Sequence, residues 1–185
     1  MGFHTFDVDR AAELEDPSRY EYVSVDELLA LFDPGPGDVV ADLGSGTGFY
    51  TDDVAEAAGR VYAVDVQAEM HDLYREKGMP DNVEPVTADV ESLPIAEPLD
   101  AVVSTMTFHE FATPEAMDAV ADALAPGGRV GFADWTRAGT GRDGPPLSER
   151  YAAEDAVELC AAAGIEVDRA EDRRETFVLS GRLGG

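Results

Sequence analysis

Short apolar runs alternate with longer amphipathic stretches over most of the chain, and this alternation predicts its elements. In DVVADLGSGTGFYT, residues 38–51, an apolar segment leads into three glycines at alternate positions and then into a helix-compatible stretch. This order predicts a strand, a tight turn and a helix. The strands predicted in this way are 38–43, 60–65, 83–87, 100–105, 129–134, 165–170 and 175–181. The predicted helices are 25–32, 48–58, 67–77, 114–124 and 149–163, the last one capped by Ser148.

The order of these elements predicts the fold class. Repeated strand–helix alternation with apolar strands is typical of an α/β protein, in which a parallel sheet carries helices on both faces. The last two strands are joined only by the charged turn EDRR, which predicts an antiparallel pair. Pro85 suits an edge strand because it cannot donate a ladder hydrogen bond. At 185 residues the chain is most simply one domain, with its core at 38–181 and with 1–33 as an N-terminal arm and helix that form a lid.

The charge of the chain is unusual and narrows the choice of partners. Asp and Glu number 39 against 13 Lys and Arg, which gives a formal net charge of −26. So acidic a surface argues against a nucleic-acid partner, because nucleic acids bind to a basic footprint. We interpret the charge as that of a halophile's protein, since concentrated salt screens self-repulsion between surface charges.

Several other classes are disfavoured by what the sequence lacks. No apolar stretch is long enough for a membrane span, and the start MGFHTFDVDR has no secretory-signal pattern, so a cytoplasmic location is expected. Cys160 is the only cysteine, and the three histidines are scattered, so neither a disulfide nor a metal site is predicted. His71, within the helix predicted at 67–77, is expected to be exposed to solvent.

Candidate chemistry is sought beyond the carboxyl ends of the strands, because parallel sheets bind their ligands there. The glycine turn after the first strand brings backbone and a helix N-terminus close to a ligand. Its spacing departs from the dinucleotide fingerprint G-x-G-x-x-G, because Gly48 comes one position early and Phe49 stands where the third glycine is expected. Asp65 ends the second strand, where a carboxylate can accept both hydroxyls of a ribose. Val66 and Met70 can form an apolar wall beside a nucleobase.

Four segments together resemble a known family. Asp42 precedes the glycines in the spacing D-x-G-x-G-x-G, which resembles motif I of the class I S-adenosylmethionine-dependent methyltransferases. Asp89 follows the third strand in TADVESLP, at the position of an acid in that family. LDAVVSTMTFHEF at 99–111 resembles its motif IV, and LAPGGRVGFADW resembles its approach to the fifth strand. The resemblance covers 38–181, and FHEF and FADW look most like the ubiquinone/menaquinone-biosynthesis and related type 11 methyltransferases.

The resemblance implies a Rossmann-like, mostly parallel seven-stranded sheet in the order 3-2-1-4-5-7-6, with strand 7 antiparallel. It implies S-adenosyl-L-methionine as the cofactor and S-adenosyl-L-homocysteine as its product. In this family the acid matched by Asp89 binds the adenine amine, and the backbone N–H matched by Val90 binds a ring nitrogen. The cofactor-binding residues implied are Asp42, Gly44, Ser45, Gly46, Gly48, Asp65, Val66, Met70, Asp89, Val90, Ser104 and Thr105.

The activity implied is methyl transfer to a small-molecule acceptor by in-line displacement, for which positioning supplies much of the rate. His109 lies just past the fourth strand and is the candidate general base, because the ordinary pKa of histidine lies near ~6.5. Glu110 is predicted to orient His109 or to line the pocket. The residues predicted to line the acceptor pocket are Tyr22, His109, Trp135 and Arg137. The arm and the 136–147 loop are expected to shape this pocket in a monomer or homodimer.

Two other functions stay open. An NAD(P)-dependent oxidoreductase has the same strand, glycine turn and ribose-binding acid, but the early Gly48 and the lack of a Tyr-x-x-x-Lys pair count against it. A non-catalytic module of the same fold that binds or senses a nucleoside is the other alternative.

Overall fold

A mixed seven-stranded sheet forms the centre of the computed structural model, which describes residues 5–185. The first four residues of the predicted arm lie outside the described residues. The strands are β1 (Val39–Leu43), β2 (Arg60–Asp65), β3 (Val83–Thr87), β4 (Leu99–Thr105), β5 (Leu124–Trp135), β6 (Ile165–Asp172) and β7 (Thr176–Leu183). The helices are α1 (Val25–Phe32), α2 (Phe49–Ala57), α3 (Ala68–Lys77), α4 (Phe108–Phe111), α5 (Pro114–Ala123) and α6 (Ala153–Ala162). Short 3₁₀ segments are Val8–Glu15, Pro17–Glu21, Val90–Ser92 and Leu147–Glu149.

The strands lie in the order β3-β2-β1-β4-β5-β7-β6. Neighbours among β1 to β5 are parallel, and β7 runs antiparallel to both β5 and β6. The predicted fold class and strand order are therefore confirmed. Pro85 lies in β3 at the edge of the sheet, where one side of the strand has no partner strand. The chain changes direction across the sheet between β1 and β4, so their carboxyl ends border the crevice in which such sheets bind ligands.

Helices cover both faces of the sheet because its strands are apolar on both sides. Val102 and Val103 are adjacent in β4 and fully buried, yet they pack into opposite layers. Leu28 of α1 and Tyr74 of α3 belong to one layer, and Met117 of α5 to the other. Each such burial stabilises the fold by about 1.5–3 kcal/mol, so the two layers hold the strand ends firmly in place.

One predicted strand boundary is wrong. β5 begins at Leu124 and not at 129, because Leu124 pairs with Leu99 of β4 before the register shifts and Ala101 pairs with Arg129. The APGG segment at 125–128, which lies between the helix predicted at 114–124 and the strand predicted at 129–134, therefore belongs to the strand. A neighbouring strand that offers free backbone groups overrides the local turn signal.

One predicted helix start is also wrong. α6 begins at Ala153, whereas Ser148, the predicted cap, lies in a short 3₁₀ turn. Between them Tyr151 forms an isolated bridge with Thr136, and its carbonyl accepts from the N–H of Arg137. These backbone bonds hold the chain extended where the sequence pattern predicts a helix.

His71 is buried and not exposed to solvent as predicted. Its Nδ1 lies 3.1 Å from Oγ1 of Thr87, because α3 packs this face against the ends of β2 and β3. Burial lowers the pKa of His71. The histidine is therefore part of the layer beneath Asp65 rather than of the surface.

The N-terminal arm lies over the carboxyl ends of the first strands. Glu15 accepts from Oγ1 of Thr47 at 2.5 Å and from Nζ of Lys77 at 3.2 Å. Tyr20 donates to Asp53 at 2.8 Å. These bonds join the arm to the glycine turn and to α2 and α3, so the arm covers the crevice; its opening as a lid stays a prediction.

Candidate functional site

A cavity of about 1390 Å³ lies at the carboxyl ends of the parallel strands, between the arm and the 136–147 loop. Most of the residues singled out in the sequence meet there. Those that line the cavity are Tyr22, Gly44, Ser45, Gly46, Asp65, Val66, Met70, Asp89, Val90, His109, Glu110 and Trp135. Those that do not line it are Asp42, Gly48, Ser104, Thr105 and Arg137.

The glycine turn presents backbone to the cavity. Gly44 and Gly46 have φ of 74° and 54°, a conformation that side-chain-bearing residues rarely adopt. A Cβ on Gly44 would overlap the side chain of Thr107, so only a glycine fits. Between them, Oγ of Ser45 is buried and has no hydrogen-bond partner among the described residues. The turn therefore offers an unused hydroxyl and closely approachable backbone to a ligand.

Asp65 is held in one orientation at the end of β2. Its two carboxylate oxygens accept from the N–H of Gly46 and of Gln67, each at 2.9 Å. Burial raises the pKa of Asp65 above its ordinary value, while these bonds oppose the rise. Val66 is 45% exposed beside it, and Met70 is buried and lines the same wall. A fixed carboxylate next to an apolar surface suits the hydroxyls of a ribose and the adjoining base.

Asp89 and Val90 form the next part of the wall, after β3. Oδ1 of Asp89 accepts from the N–H of Glu91 at 2.9 Å and caps the 3₁₀ turn that begins at Val90. The other carboxylate oxygen of Asp89 has no hydrogen bond within residues 5–185, so it can accept from a ligand. The free carboxylate oxygen of Asp89 and the cavity-lining Val90 can therefore contact the polar edge of a nucleobase.

Asp42 and Gly48 support the turn from below rather than line the cavity. Asp42 is buried, accepts from Oγ1 of Thr51 at 2.6 Å, and has its pKa raised to about 6 by burial. Gly48 caps α2 with φ of 82° and packs against the ring of Tyr74. Their contact with a cofactor stays a prediction, and their evident role is to shape the turn.

Ser104, Thr105 and Arg137 also lie outside the cavity. Ser104 donates to the carbonyl of Leu43 at 2.8 Å and joins β4 to β1, and Thr105 is buried. Arg137 forms an ion pair with Asp155 of α6 at 2.6 Å. The guanidinium group is therefore engaged away from the pocket that Arg137 was predicted to line.

His109 stands at the other side of the cavity and is paired with Asp134. Oδ2 of Asp134, which is fully buried, accepts from the backbone N–H of His109 at 2.6 Å and lies 2.8 Å from its Nδ1. Because a carboxylate only accepts, Nδ1 carries the proton of the neutral imidazole, and Nε2 keeps its lone pair in that form. Burial lowers the pKa of His109, but the carboxylates of Asp134 and Glu110 outweigh burial and raise it.

Glu110 lines the pocket, as one of the two predicted roles states, but it does not orient the histidine. Its Oε1 lies 4.0 Å from Nε2 of His109, and burial raises the pKa of Glu110 to about 7. The orienting residue is Asp134, which the sequence reasoning did not assign to His109. The parallel pairing of Thr105 with Ala133 is the signal that could have found it, because it places Asp134 beside the segment after β4.

An aromatic contact between the arm and the end of β5 lines the same cavity as His109. The rings of Tyr22 and Trp135 lie 4.6 Å apart at 61°, and Tyr22 donates to Asp143 at 2.9 Å. On the other side Arg150 lies over Trp135, 5.3 Å from the ring centre, and donates to the carbonyl of Pro145. The arm and the 136–147 loop are thereby fastened to each other across the end of β5.

Arg19 is a cavity residue that the sequence reasoning missed. Its guanidinium lies about 5 Å from the ring centres of Phe49 and Tyr50 and donates to the carbonyl of Leu14 at 2.6 Å. It has no ion pair with the described residues, although the chain is strongly acidic. A half-buried cation that has no ion pair with the described residues and lies beside the glycine turn suits a carboxylate on a ligand.

Across residues 5–185, no three or more His, Cys, Asp or Glu side chains are grouped so that they could hold a metal ion. None of the helices in this part of the chain is both long and apolar enough to cross a bilayer.

Comparisons with known proteins agree with this geometry. A family described as "Methyltransferase domain" matches residues 40–128. An uncharacterized methyltransferase of Geobacillus kaustophilus is 28% identical over 174 residues, which cover 91% of this chain and 75% of the relative. Another, of Anoxybacillus flavithermus, is 35% identical over 102 residues, 53% of this chain and 47% of the relative. The crystal structure of a SAM-dependent methyltransferase from Aquifex aeolicus is 28% identical with a TM-score of 0.87, over 96% of this chain and 99% of that one.

Proposed function

Because the chain belongs to the class I S-adenosylmethionine-dependent methyltransferases, we propose that it methylates a small molecule that enters the cavity beside His109. S-adenosylmethionine, when bound, supplies a methyl group on a sulfonium that an acceptor nucleophile can displace in line. The observation that carries the proposal is a single cavity with a nucleoside-type wall on one side and the His109–Asp134 pair on the other.

The residues of the nucleoside-type wall fit this cofactor. Asp65 is oriented to accept the ribose hydroxyls, and Asp89 and Val90 to contact the adenine. The unused hydroxyl of Ser45 and the unpaired Arg19 lie by the glycine turn, where the methionine part of the cofactor would be held. A charged hydrogen bond of this kind contributes about 1.5–3 kcal/mol.

His109 is proposed to act on the acceptor. Asp134 holds Nδ1–H, so the lone pair of Nε2 is available to an acceptor proton. Such a base is needed only where the acceptor must lose a proton before or during transfer. Much of the remaining rate comes from holding the acceptor against the methyl group, which the Tyr22–Trp135 contact favours by closing the cavity.

A small molecule is the favoured acceptor class. The cavity is covered by the arm and by the 136–147 loop, which leaves little access for a folded protein or a duplex. The net charge of −26 also disfavours nucleic acid. A cytoplasmic location, and a monomer or homodimer, are proposed on the sequence alone.

The first experiment is calorimetric titration with S-adenosylhomocysteine and with NAD. We expect S-adenosylhomocysteine to bind and NAD not to bind. Asp65→Asn should weaken the binding of S-adenosylhomocysteine by about 10- to 100-fold, because the side chain loses one of the two oxygens that accept from the ribose hydroxyls. Asp72→Asn, an exposed acid of α3 paired with Arg75, is the matched control and should bind as the unaltered protein does. Binding of NAD alone would favour the oxidoreductase instead.

The second experiment separates an enzyme from a binding module. Labelled S-adenosylmethionine is incubated with the protein and a metabolite extract, and methylated products are identified by mass spectrometry. We expect at least one labelled small molecule, absent with Asp65→Ala. Cofactor binding without any labelled product would favour a sensing module. His109→Gln that keeps both cofactor binding and full turnover would remove the histidine from the chemistry.

A further inference from the structure

The side of the cavity that holds His109 offers an incoming molecule few donors and several acceptors. We define the acceptor lobe as His109, Glu110, Trp135 and Glu149, all of which line the cavity. Within residues 5–185, the carboxylates of Glu110 and Glu149 form no hydrogen bond. Their one ionic contact is the 4.0 Å approach of Glu110 to Nε2 of His109. The carboxylate of Glu110 is therefore left for a ligand, whereas that of Glu149 is exposed to solvent.

His109 and Glu110 are largely buried, and each keeps a hydrogen-bond acceptor without a partner among the described residues. The side chains of His109 and Glu110 are only 10% and 20% exposed. Asp134 occupies Nδ1 of His109, so Nε2 has no hydrogen-bond partner among the described residues. Both side chains line the cavity, and Nε2 of His109 and the carboxylate of Glu110 are acceptors that remain accessible from it, so this side of the cavity suits a ligand that donates hydrogen bonds.

The negative charge around His109 indicates the charge of the ligand that this lobe favours. Behind and beside His109 stand three carboxylates, those of Asp134, Glu110 and Glu149. Of the arginines that line the cavity, Arg10 and Arg19 belong to the arm, and Arg142 belongs to the 136–147 loop and is exposed. An anionic acceptor would be repelled by this lobe, whereas a cationic one would be attracted. The apolar face of Trp135 can in addition contact a cation or an aromatic ring.

We infer that the acceptor is an amine, whose nitrogen is held by Glu110 next to Nε2 of His109. The inference rests on the proposed methyl transfer and names its substrate class. It is consistent with the pKa of Glu110, which burial raises to about 7, because an ammonium group at contact would restore the charged carboxylate.

The chemistry balances without a further reagent. The amine enters as an ammonium ion and gives one proton to Nε2 of His109. Its freed lone pair forms the new nitrogen–carbon bond as the carbon–sulfur bond breaks with its electron pair going to sulfur. The product is an N-methylammonium ion, which Glu110 stabilises, and the proton on His109 leaves to solvent.

Binding tests the inference independently of turnover. The complex with S-adenosylhomocysteine is titrated by calorimetry with 2-phenylethylamine and with 3-phenylpropionate, which share a ring and differ in charge. We expect the amine to bind and the acid to bind at least about tenfold more weakly. Glu110→Gln should weaken the binding of the amine by about tenfold or more, because it removes one charged hydrogen bond. The affinity for S-adenosylhomocysteine should stay unchanged. Glu115→Gln, an exposed acid of α5, is the matched control and should change neither.

Turnover gives a second and separate readout. A metabolite extract is divided into fractions retained by a cation exchanger and by an anion exchanger, and each is incubated with labelled S-adenosylmethionine. Label in the cation-exchange fraction, lost with Glu110→Gln, supports the inference. Label only in the anion-exchange fraction, or 3-phenylpropionate binding as tightly as the amine, overturns it and leaves methyl transfer standing. Label only in material that neither exchanger retains also overturns the amine inference and leaves methyl transfer standing. Label in no part of the extract, the unretained material included, or no binding of S-adenosylhomocysteine, refutes the proposed methyl transfer itself.

Discussion

The two halves of the cavity are built in different ways. The half proposed to hold the cofactor, called the cofactor half below, uses short segments directly after β1, β2 and β3. Its acid Asp65 is fixed by the backbone N–H groups of two nearby residues of the same sheet edge. The acceptor half is assembled from side chains that are far apart in the chain. His109 meets Asp134, 25 positions later, and Tyr22 meets Asp143, 121 positions later.

This difference determines how each half responds to change. Where backbone lines the cavity, an added Cβ clashes with neighbouring atoms, because the tightly packed turn cannot take another path. A wall made of side chains keeps its shape after a substitution but loses its charge, its proton or its orientation. Substitutions in the cofactor half should therefore lower the stability of the fold. Substitutions in the acceptor half should instead change the pH dependence of activity.

The largest effect is expected for Gly44→Ala. The new Cβ would overlap Thr107, and φ at this position is 74°. Left-handed backbone costs a side-chain-bearing residue about 1–2 kcal/mol, and overpacking about 1–3 kcal/mol. We expect the free energy of unfolding in guanidinium chloride to fall by about 2–5 kcal/mol and S-adenosylhomocysteine binding to be lost.

The control for this prediction is Gly37→Ala. A Cβ at Gly37 meets no atom within 4 Å, so the substitution should change the free energy of unfolding by less than about 0.5 kcal/mol. If Gly44→Ala were as stable as Gly37→Ala and bound S-adenosylhomocysteine equally well, close packing of the backbone at Gly44 would not be needed for the cofactor half.

An intermediate effect is expected for Asp134→Asn. Activity through His109 needs a neutral Nε2, so it rises with pH through the pKa of His109, which Asp134 helps to raise. Loss of the carboxylate lowers that pKa, and the acid limb of the pH–kcat profile should move to lower pH. The plateau should fall by about 10- to 100-fold, because general-base catalysis of this kind contributes about 10²–10⁴-fold and is only partly lost.

A merely structural role for Asp134 would lower the plateau and leave the acid limb where it is. His109→Gln and the double variant complete the test. If Asp134 acts through His109, the double variant should be no slower than His109→Gln alone. Thermal melts of all three variants check that the fold is kept, because Asp134 is fully buried.

The smallest effect is expected for Arg137→Ala. The guanidinium is paired with Asp155 outside the cavity, and the side chain is 56% exposed. We expect kcat/KM to stay within about twofold and the free energy of unfolding to fall by less than about 1 kcal/mol, as for other exposed ion pairs. A tenfold rise in the KM of the acceptor would return Arg137 to the acceptor pocket.

The glycine spacing and the acids at successive strand ends predicted which segments meet at the cavity, because each signal lies within a few residues of a strand; their contact with the cofactor stays a prediction. Gly44, Asp65 and Asp89 all line the cavity, although nothing in their spacing could show that Asp42 lies beneath the turn. Burial of a side chain depends on what packs over it, and for Asp42 that is α2 and the arm.

The acceptor half was predicted only in its most local part. His109 was found from its place after β4, but its partner Asp134 depends on the parallel pairing of β4 with β5. Arg137 was placed in the pocket because it follows β5, whereas its ion pair with Asp155 turns it away. A long side chain can reach several partners, and the choice among them is made by the neighbouring element.

The sequence by itself determined most of the elements, the sheet order through its resemblance, and the segments that meet at the cavity, since these depend on periodicity, glycine and short spacings. The tertiary structure alone decided that Glu110 is left without a hydrogen bond, that Asp134 orients His109, and that Tyr22 closes the cavity over Trp135. These contacts join positions that only the closed sheet brings within hydrogen-bond or van der Waals distance, and such distances leave no trace in the order of residues along the chain.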